Sequence, residues 1–168
     1  MNRGLKAGIG CVLLIILDQL TKLWVLDALR GQEPVTVLPG VFQLLYVENR
    51  GAAFGILQNK QWFFVIITVA VLAALLWVLP KIPAERHFLP LSLCLCFIAA
   101  GAVGNMIDRI FRGYVVDFLY FQLIDFPVFN VADIYVTTAS VVLILLILFL
   151  YKEADFDRIF PKKDKREK

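Results

Sequence analysis

Residues 62–79 read WFFVIITVAVLAALLWVL, a charge-free run closed by Pro80 and Lys81. A helix rises about 1.5 Å per residue and the hydrocarbon of a bilayer is about 30 Å thick, so this stretch predicts a membrane-spanning helix. Three further runs share its length. Ala7 to Leu26 is interrupted by Asp18 and Lys22, and a second run extends from Phe88 to about Ile107. A third, Ile134 to Leu150, has only Tyr135, Thr137, Thr138 and Ser140 as polar relief. Backbone groups in lipid must be satisfied within the chain, so all four spans (about 7–26, 62–79, 88–107 and 134–150) are expected to be helices. The chain has 168 residues, enough for one domain, and the reading is of a single integral membrane domain over 1–168. It is 60% hydrophobic and only 18% charged, with a mean hydropathy of +0.77. Soluble domains run at roughly 45–50% apolar and 25% charged, so a soluble enzyme and a disordered chain are both excluded.

The net charge of +3 is too small to indicate nucleic-acid binding, and no nucleic-acid partner is expected. Its distribution along the chain orients the spans, because loops rich in Lys and Arg stay cytoplasmic. Arg3, Lys6, Lys81, Arg86 and seven cations from Lys152 to Lys168 fall on one side; Lys22, Arg30, Arg50, Lys60, Arg109 and Arg112 fall on the other. Both termini are therefore expected in the cytoplasm, with residues 152–168 a polar, frayed tail. The first span is read as retained, because no small-x-small cleavage site follows it and Asp18 with Lys22 do not suit a signal peptide.

The outer loop from Asp27 to Gln61 is long for a helical connection. Val35 to Leu38 and Val41 to Val47 are β-branched and aromatic, with Pro39-Gly40 between them as a turn signal. Short strands at the membrane surface are expected there. The fold class is thus an all-α membrane protein of four transmembrane helices with a small extracytoplasmic β-rich cradle in the first outer loop.

Cys11, Cys94 and Cys96 all lie in apolar runs and read as small core residues rather than disulfide or zinc partners. His87 is the single histidine, in a loop beside Arg86, so neither a metal site nor a Ser/His or Cys/His pair is expected, and no cofactor.

Ionisable groups at or inside a span are costly and mark functional sites by default. Asp18 and Lys22 share a helix face at i, i+4, and a pair that satisfies itself is also a structural solution. Gly101-Ala-Val-Gly-Asn-Met-Ile-Asp-Arg109 closes the third span: its glycines permit close helix approach, and Asn105 and Arg109 lie on one face. An arginine there either snorkels or fixes a carboxylate by a charge-assisted hydrogen bond. Asp117 in Tyr114-Val-Val-Asp-Phe118 and Asp133 in Phe129-Asn-Val-Ala-Asp133 both sit in apolar context at the outer ends of spans three and four. Asp133 also suits the first turn of a helix, where the macrodipole favours an anion, and Asn130 suits a helix cap; Asp117 has no such structural explanation. Two carboxylates in one place of low dielectric share a proton near neutral pH, which is the pattern of an aspartic peptidase. The ionised member takes a proton from water while the protonated one polarises the scissile carbonyl. Sixteen positions separate the two acids, so spacing by itself does not bring them together.

Five blocks in order resemble the lipoprotein signal peptidases, also called signal peptidase II, membrane aspartic peptidases of bacteria. They are Asp18-Gln-Leu-Thr-Lys22, Glu48-Asn-Arg-Gly-Ala-Ala-Phe54, Gly101 to Arg109, Val115-Val-Asp-Phe118 and Phe129 to Asp133. The resemblance implies that Asp117 and Asp133 are the catalytic pair, with Asp18, Lys22, Asn49, Gly51, Asn105, Arg109 and Asn130 supporting them around the cleft. It implies cleavage of the signal peptide from prolipoproteins whose cysteine carries a diacylglyceryl group, at the outer face of the cytoplasmic membrane. It also implies that the strands at Val35 to Val47 form a cradle and that a mobile short helix follows Phe54. Lipid and the diacylglyceryl-cysteine substrate are the expected partners of a chain expected to act as a monomer. Asn49, Asn105 and Asn130 are expected to hydrogen-bond the extended substrate backbone, with helix capping the alternative for Asn130. Two other classes remain open: a component of a proton-coupled transporter, which would place its acids near the bilayer midplane, and a non-catalytic scaffold for lipidated partners.

Overall fold

The fold is described from a computed structural model, over residues 3–51 and 60–161. The segment after Phe54 in which a short helix is expected, and most of the basic tail, lie outside these residues. Among the described residues, helices α1 (Arg3–Ala28), α2 (Gln61–Val78), α3 (Leu89–Phe111) and α4 (Val131–Phe149) are long and apolar enough to cross a membrane. Their polarity is inverted relative to a soluble bundle. Leu13, Leu20, Ile66, Leu76 and Leu148 face outward, whereas Asp18, Lys22 and Asp108 are fully buried among the helices. Lipid can solvate the first set but not the second.

Glycines set how closely these helices approach. A Cβ on Gly101 would strike the backbone carbonyl of Ala132 on α4 and come within 2.7 Å of Val136 Cγ2; one on Gly104 would strike the Asp18 carboxylate on α1. The interior is therefore assembled at α3, with α1 and α4 against it.

Strands β1 (Val35–Leu38), β2 (Phe42–Asn49) and β3 (Val115–Phe121) form an antiparallel sheet in the order β1-β2-β3. The β1–β2 turn carries Gly40 at φ +70°, a conformation that glycine adopts without a steric penalty, and Val41 N donates to Leu38 O at 3.0 Å. β3 lies outside the loop in which the sequence suggested strands. Residues 115–121 follow α3 and pair with β2, setting Val47 opposite Asp117 and Asn49 opposite Val115. Val115, Val116 and Phe118 are buried, so β3, although last in the sheet order, is a buried apolar strand with one acid in it, and lacks the alternation that marks a half-exposed strand. Strands β1 and β2 lie in the loop where strands were expected, and the sheet gains a third strand from the connection after α3.

The chain after α4 also departs from expectation. Glu153–Ile159 forms helix α5, and Ile159 and Tyr151 are buried with Phe88, Leu91 and Leu95. Tyr151 Oη accepts from Leu91 N at 3.3 Å and donates to His87 O at 3.1 Å, while His87 Nε2 lies 3.1 Å from Asp155 Oδ1. Charged residues dominate Glu153–Ile159, and its packing rests on Phe156 and Ile159, about a helical turn apart. Chain direction puts this cluster and the α2–α3 turn at one end of the bundle and the sheet at the other.

Candidate active site

Asp117 and Asp133 arrive at the same cavity by different routes. Asp117 is carried by β3. Beyond it the chain folds back: Phe129 N donates to Leu119 O at 3.0 Å, and Phe118 N and Leu119 N donate to Phe129 O at 3.0 and 2.9 Å. This pairing sets Asn130 beside Asp117, and α4 begins at once. Asn130 caps α4, its Oδ1 accepting from Asp133 N at 3.1 Å while Asp133 Oδ2 accepts from Asn130 N at 3.1 Å. Such a reciprocal box satisfies two backbone amides that the first turn leaves free. The capping reading of Asn130 and Asp133 therefore holds, and each side chain keeps a second polar atom for another partner.

Asparagines hold the acids. Asn49 Nδ2 donates to Asp117 Oδ2 at 2.8 Å and Asn130 Nδ2 to Asp117 Oδ1 at 2.6 Å; Asn105 Nδ2 donates to Asp133 Oδ1 at 2.8 Å. Asn130 Nδ2 also reaches Asn105 Oδ1 at 3.1 Å, which links the donors of the two acids. Asn49 is fixed in turn by Gly51 N, which donates to its Oδ1 at 3.0 Å. These bonds leave the asparagine amides engaged within the protein, where the sequence suggested that they would bind substrate backbone.

Asp117 is 1% exposed, while Asp133 is only half-buried and open to the cavity. Burial, together with the charge of Asp133, pushes the Asp117 carboxyl up to about 7 against the pull of the Asn49 and Asn130 amides. A carboxyl in that range exchanges its proton near neutrality. The cavity measures about 500 Å³ and is bounded by Asn49, Asn105, Arg109, Asp117 and Asp133 on its polar side, and by Phe64, Phe126 and Phe129 among its apolar walls.

Arg109 lines the cavity wall without binding a carboxylate. Among the described contacts it makes no hydrogen bond to either acid. Its guanidinium lies 4.9 Å from the Phe64 ring centre and donates to Gly51 O at 3.5 Å, and its Nε is buried without a hydrogen-bond partner.

Asp18 and Lys22 form the expected i, i+4 pair at 3.0 Å, but the pair is not closed on itself. Lys22 Nζ also lies 3.1 Å from Asp108 Oδ2 and donates to Asn105 Oδ1 at 2.9 Å. Asp108 had no assigned role in the sequence reading. Its signal there was an acid four residues before Arg112, which it pairs with, in a segment too apolar to hold an unpartnered charge. Gln19 completes the cluster, donating from Nε2 to Asp18 Oδ2 at 3.0 Å and to Gly104 O at 3.1 Å.

The helix bundle, with a polar, carboxylate-bearing cavity at its sheet end, has the fold of solved bacterial membrane enzymes. One, determined by the in meso method at 2.3 Å resolution, matches with a TM-score of 0.74 at 31% identity, covering 95% of this chain and 93% of that one. Another, determined at 1.9 Å, matches with a TM-score of 0.75 at 33% identity, over 87% of this chain and 94% of that one. The family model described as Signal peptidase (SPase) II matches residues 10–149, and the chain belongs to that family. Lipoprotein signal peptidases of Streptococcus thermophilus and Streptococcus pyogenes are 48% and 42% identical to it, over 86% and 88% of this chain and 92% and 94% of theirs.

Proposed function

We propose that this chain is an aspartic endopeptidase that removes the signal peptide from diacylglyceryl-modified prolipoproteins, cutting just before the lipidated cysteine. Asp117 and Asp133 are the catalytic pair, acting on a water held between them. The observation that carries the reading is that both acids line one cavity and are joined through a single residue, Asn130, which donates to Asp117 from its side chain and to Asp133 from its backbone.

In the active form the pair holds one proton. The ionised acid takes a proton from water as that water attacks the scissile carbonyl, and the protonated acid donates to the developing oxyanion; the proton then passes to the leaving amine. No covalent intermediate is needed. Lipid-facing helices suit the substrate as well. A signal peptide is an apolar helix and a diacylglyceryl group is apolar, so both stay in the bilayer while the bond between them reaches the interface. The acids lie at the sheet end of the helices, not at mid-span, which favours interfacial chemistry over proton relay. The excess of Lys and Arg toward the other end supports a topology with this end at the outer face of the cytoplasmic membrane and both termini in the cytoplasm.

The test uses purified protein in detergent with a synthetic diacylglyceryl lipopeptide. Asp117→Asn and Asp133→Asn should each abolish nearly all release of the signal fragment, and the double variant should lose little more, because the pair acts as a unit. Near-normal turnover in either single variant refutes the assignment and returns the scaffold reading.

A further inference from the structure

Between α1, α3 and the two acids lies a buried charge cluster that the hydrolytic step does not use. Asp18, Lys22 and Asp108 are each 0% exposed. Lys22 spends its three ammonium hydrogens on Asp18, Asp108 and Asn105. Each carboxylate of the cluster also accepts a backbone amide. Asp108 Oδ2 takes Val116 N at 3.0 Å, and Asp18 Oδ1 takes Ala132 N at 3.0 Å. Val116 immediately precedes Asp117, and Ala132 immediately precedes Asp133.

We propose that Asp108 is a positioning residue: its carboxylate pins the backbone of β3 beside Asp117 and, through Lys22 and Asp18, ties that pin to the backbone of α4 beside Asp133. The inference rests on the reading of Asp117 and Asp133 as the hydrolytic pair. Secondary structure does not by itself fix the separation of a strand residue and a helix residue from different segments. One lysine bridging two carboxylates, each on the amide next to one acid, fixes it. Arg112 pairs with Asp108 from the other side and donates to Gln19 Oε1 at 3.3 Å, so the anchoring acid is restrained on both of its oxygens. A misplacement of about 1 Å can cost on the order of 100-fold in rate, which is why such a pin matters to turnover.

The charged and polar groups around the acids are Lys22 on α1, Asn49 on β2, Asn105, Asp108 and Arg109 on α3, and Asn130 on α4. Glu48 on β2 is taken up by Arg50 and Tyr46. Removing the Asp108 charge leaves Lys22 with one carboxylate instead of two, so the surroundings of the acids become more positive. The acidic limb of the pH–rate profile should then move to lower pH.

The experiment measures kcat, KM and the pH–rate profile of the full chain on the diacylglyceryl lipopeptide, with Asp117→Asn alongside. Asp108→Asn should lower kcat by about 10-fold to 100-fold, leave KM within about 2-fold, and move the acidic limb down. A folded Asp108→Asn with normal kcat and an unmoved limb overturns the proposal, even if it melts earlier, because a stabilising role alone would do only that. If Asp108→Asn does not fold, Arg112→Gln decides: loosening Asp108 from one side should speed hydrogen exchange at the Val116 amide and lower kcat several-fold at unchanged KM. Unchanged exchange and kcat overturn it. Should Asp117→Asn itself retain turnover, the catalytic pair falls, whereas an inactive Asp117→Asn beside a normal Asp108→Asn removes only the positioning role.

Discussion

Asp117 is held against its own solvation. With its carboxyl pushed up to about 7, it binds a proton far more tightly in the folded chain than in an unfolded one, where about 3.9 is ordinary. Stability contributed by a group raised in this way is fully present below the unfolded value and lost as pH rises through the folded one. Asp117→Asn escapes that loss. Its melting temperature relative to the native chain should therefore climb between pH 5 and pH 8 in detergent; a difference that stays flat or falls would mean that Asp117 is not buried near an acid. Activity carries the matching sign. As pH rises past about 7 the pair loses its one proton, so kcat/KM should decline on the alkaline side. At Lys22 the prediction is one of stability. Lys22→Met leaves the buried Asp18 without a cation and Asp108 with Arg112 alone, at a cost of about 3–5 kcal/mol, read by thermal or denaturant unfolding.

Among the elements, α3 and the start of α4 decide the site. At Gly101 the obstacle to a side chain is the Ala132 backbone, which cannot swing aside as a side-chain tip can. Gly101→Ala should destabilise by about 1–3 kcal/mol and also lower activity, since Ala132 is the residue before Asp133. Asn130 separates capping from chemistry. Serine caps a helix about as well as asparagine but has no amide to offer Asp117 and Asn105. Asn130→Ser should melt closer to the native chain than Asn130→Ala does, yet lose about 10-fold to 100-fold in turnover, as removing one donor from a preorganised polar site does. Equal activity in Asn130→Ser and the native enzyme would leave only the cap.

At the scale of the whole molecule, two polar ends are separated by a lipid-facing belt. The sheet end holds the acids, and the other end holds α5, packed onto Phe88 and Leu91. The charge distribution predicts opposite exposure of these ends across the membrane. In cells, a cysteine placed at Thr36 on β1 should react with an impermeant reagent added outside, and one placed at Glu153 on α5 only after the inner face is opened. The reverse pattern would invert the topology and set the proposed cleavage on the wrong side for a translocated lipoprotein.

The sequence alone determined the four spans, because length and apolarity are local properties and lipid admits helices as their solution. It also determined the first two strands, through β-branched runs and the Pro39-Gly40 turn, and it exposed Asp117 as an acid with no local purpose. Tertiary structure decided the rest. Strand β3 has no pattern of its own, since a strand buried on both faces does not alternate, and its register comes from β2. The asparagine donors to the two acids, the contacts of Arg109 with Phe64 and Gly51, and the tie from Lys22 to Asp108 all join residues of different elements. Such contacts depend on distances in space, and spacing along a chain constrains those only within a single helix or strand.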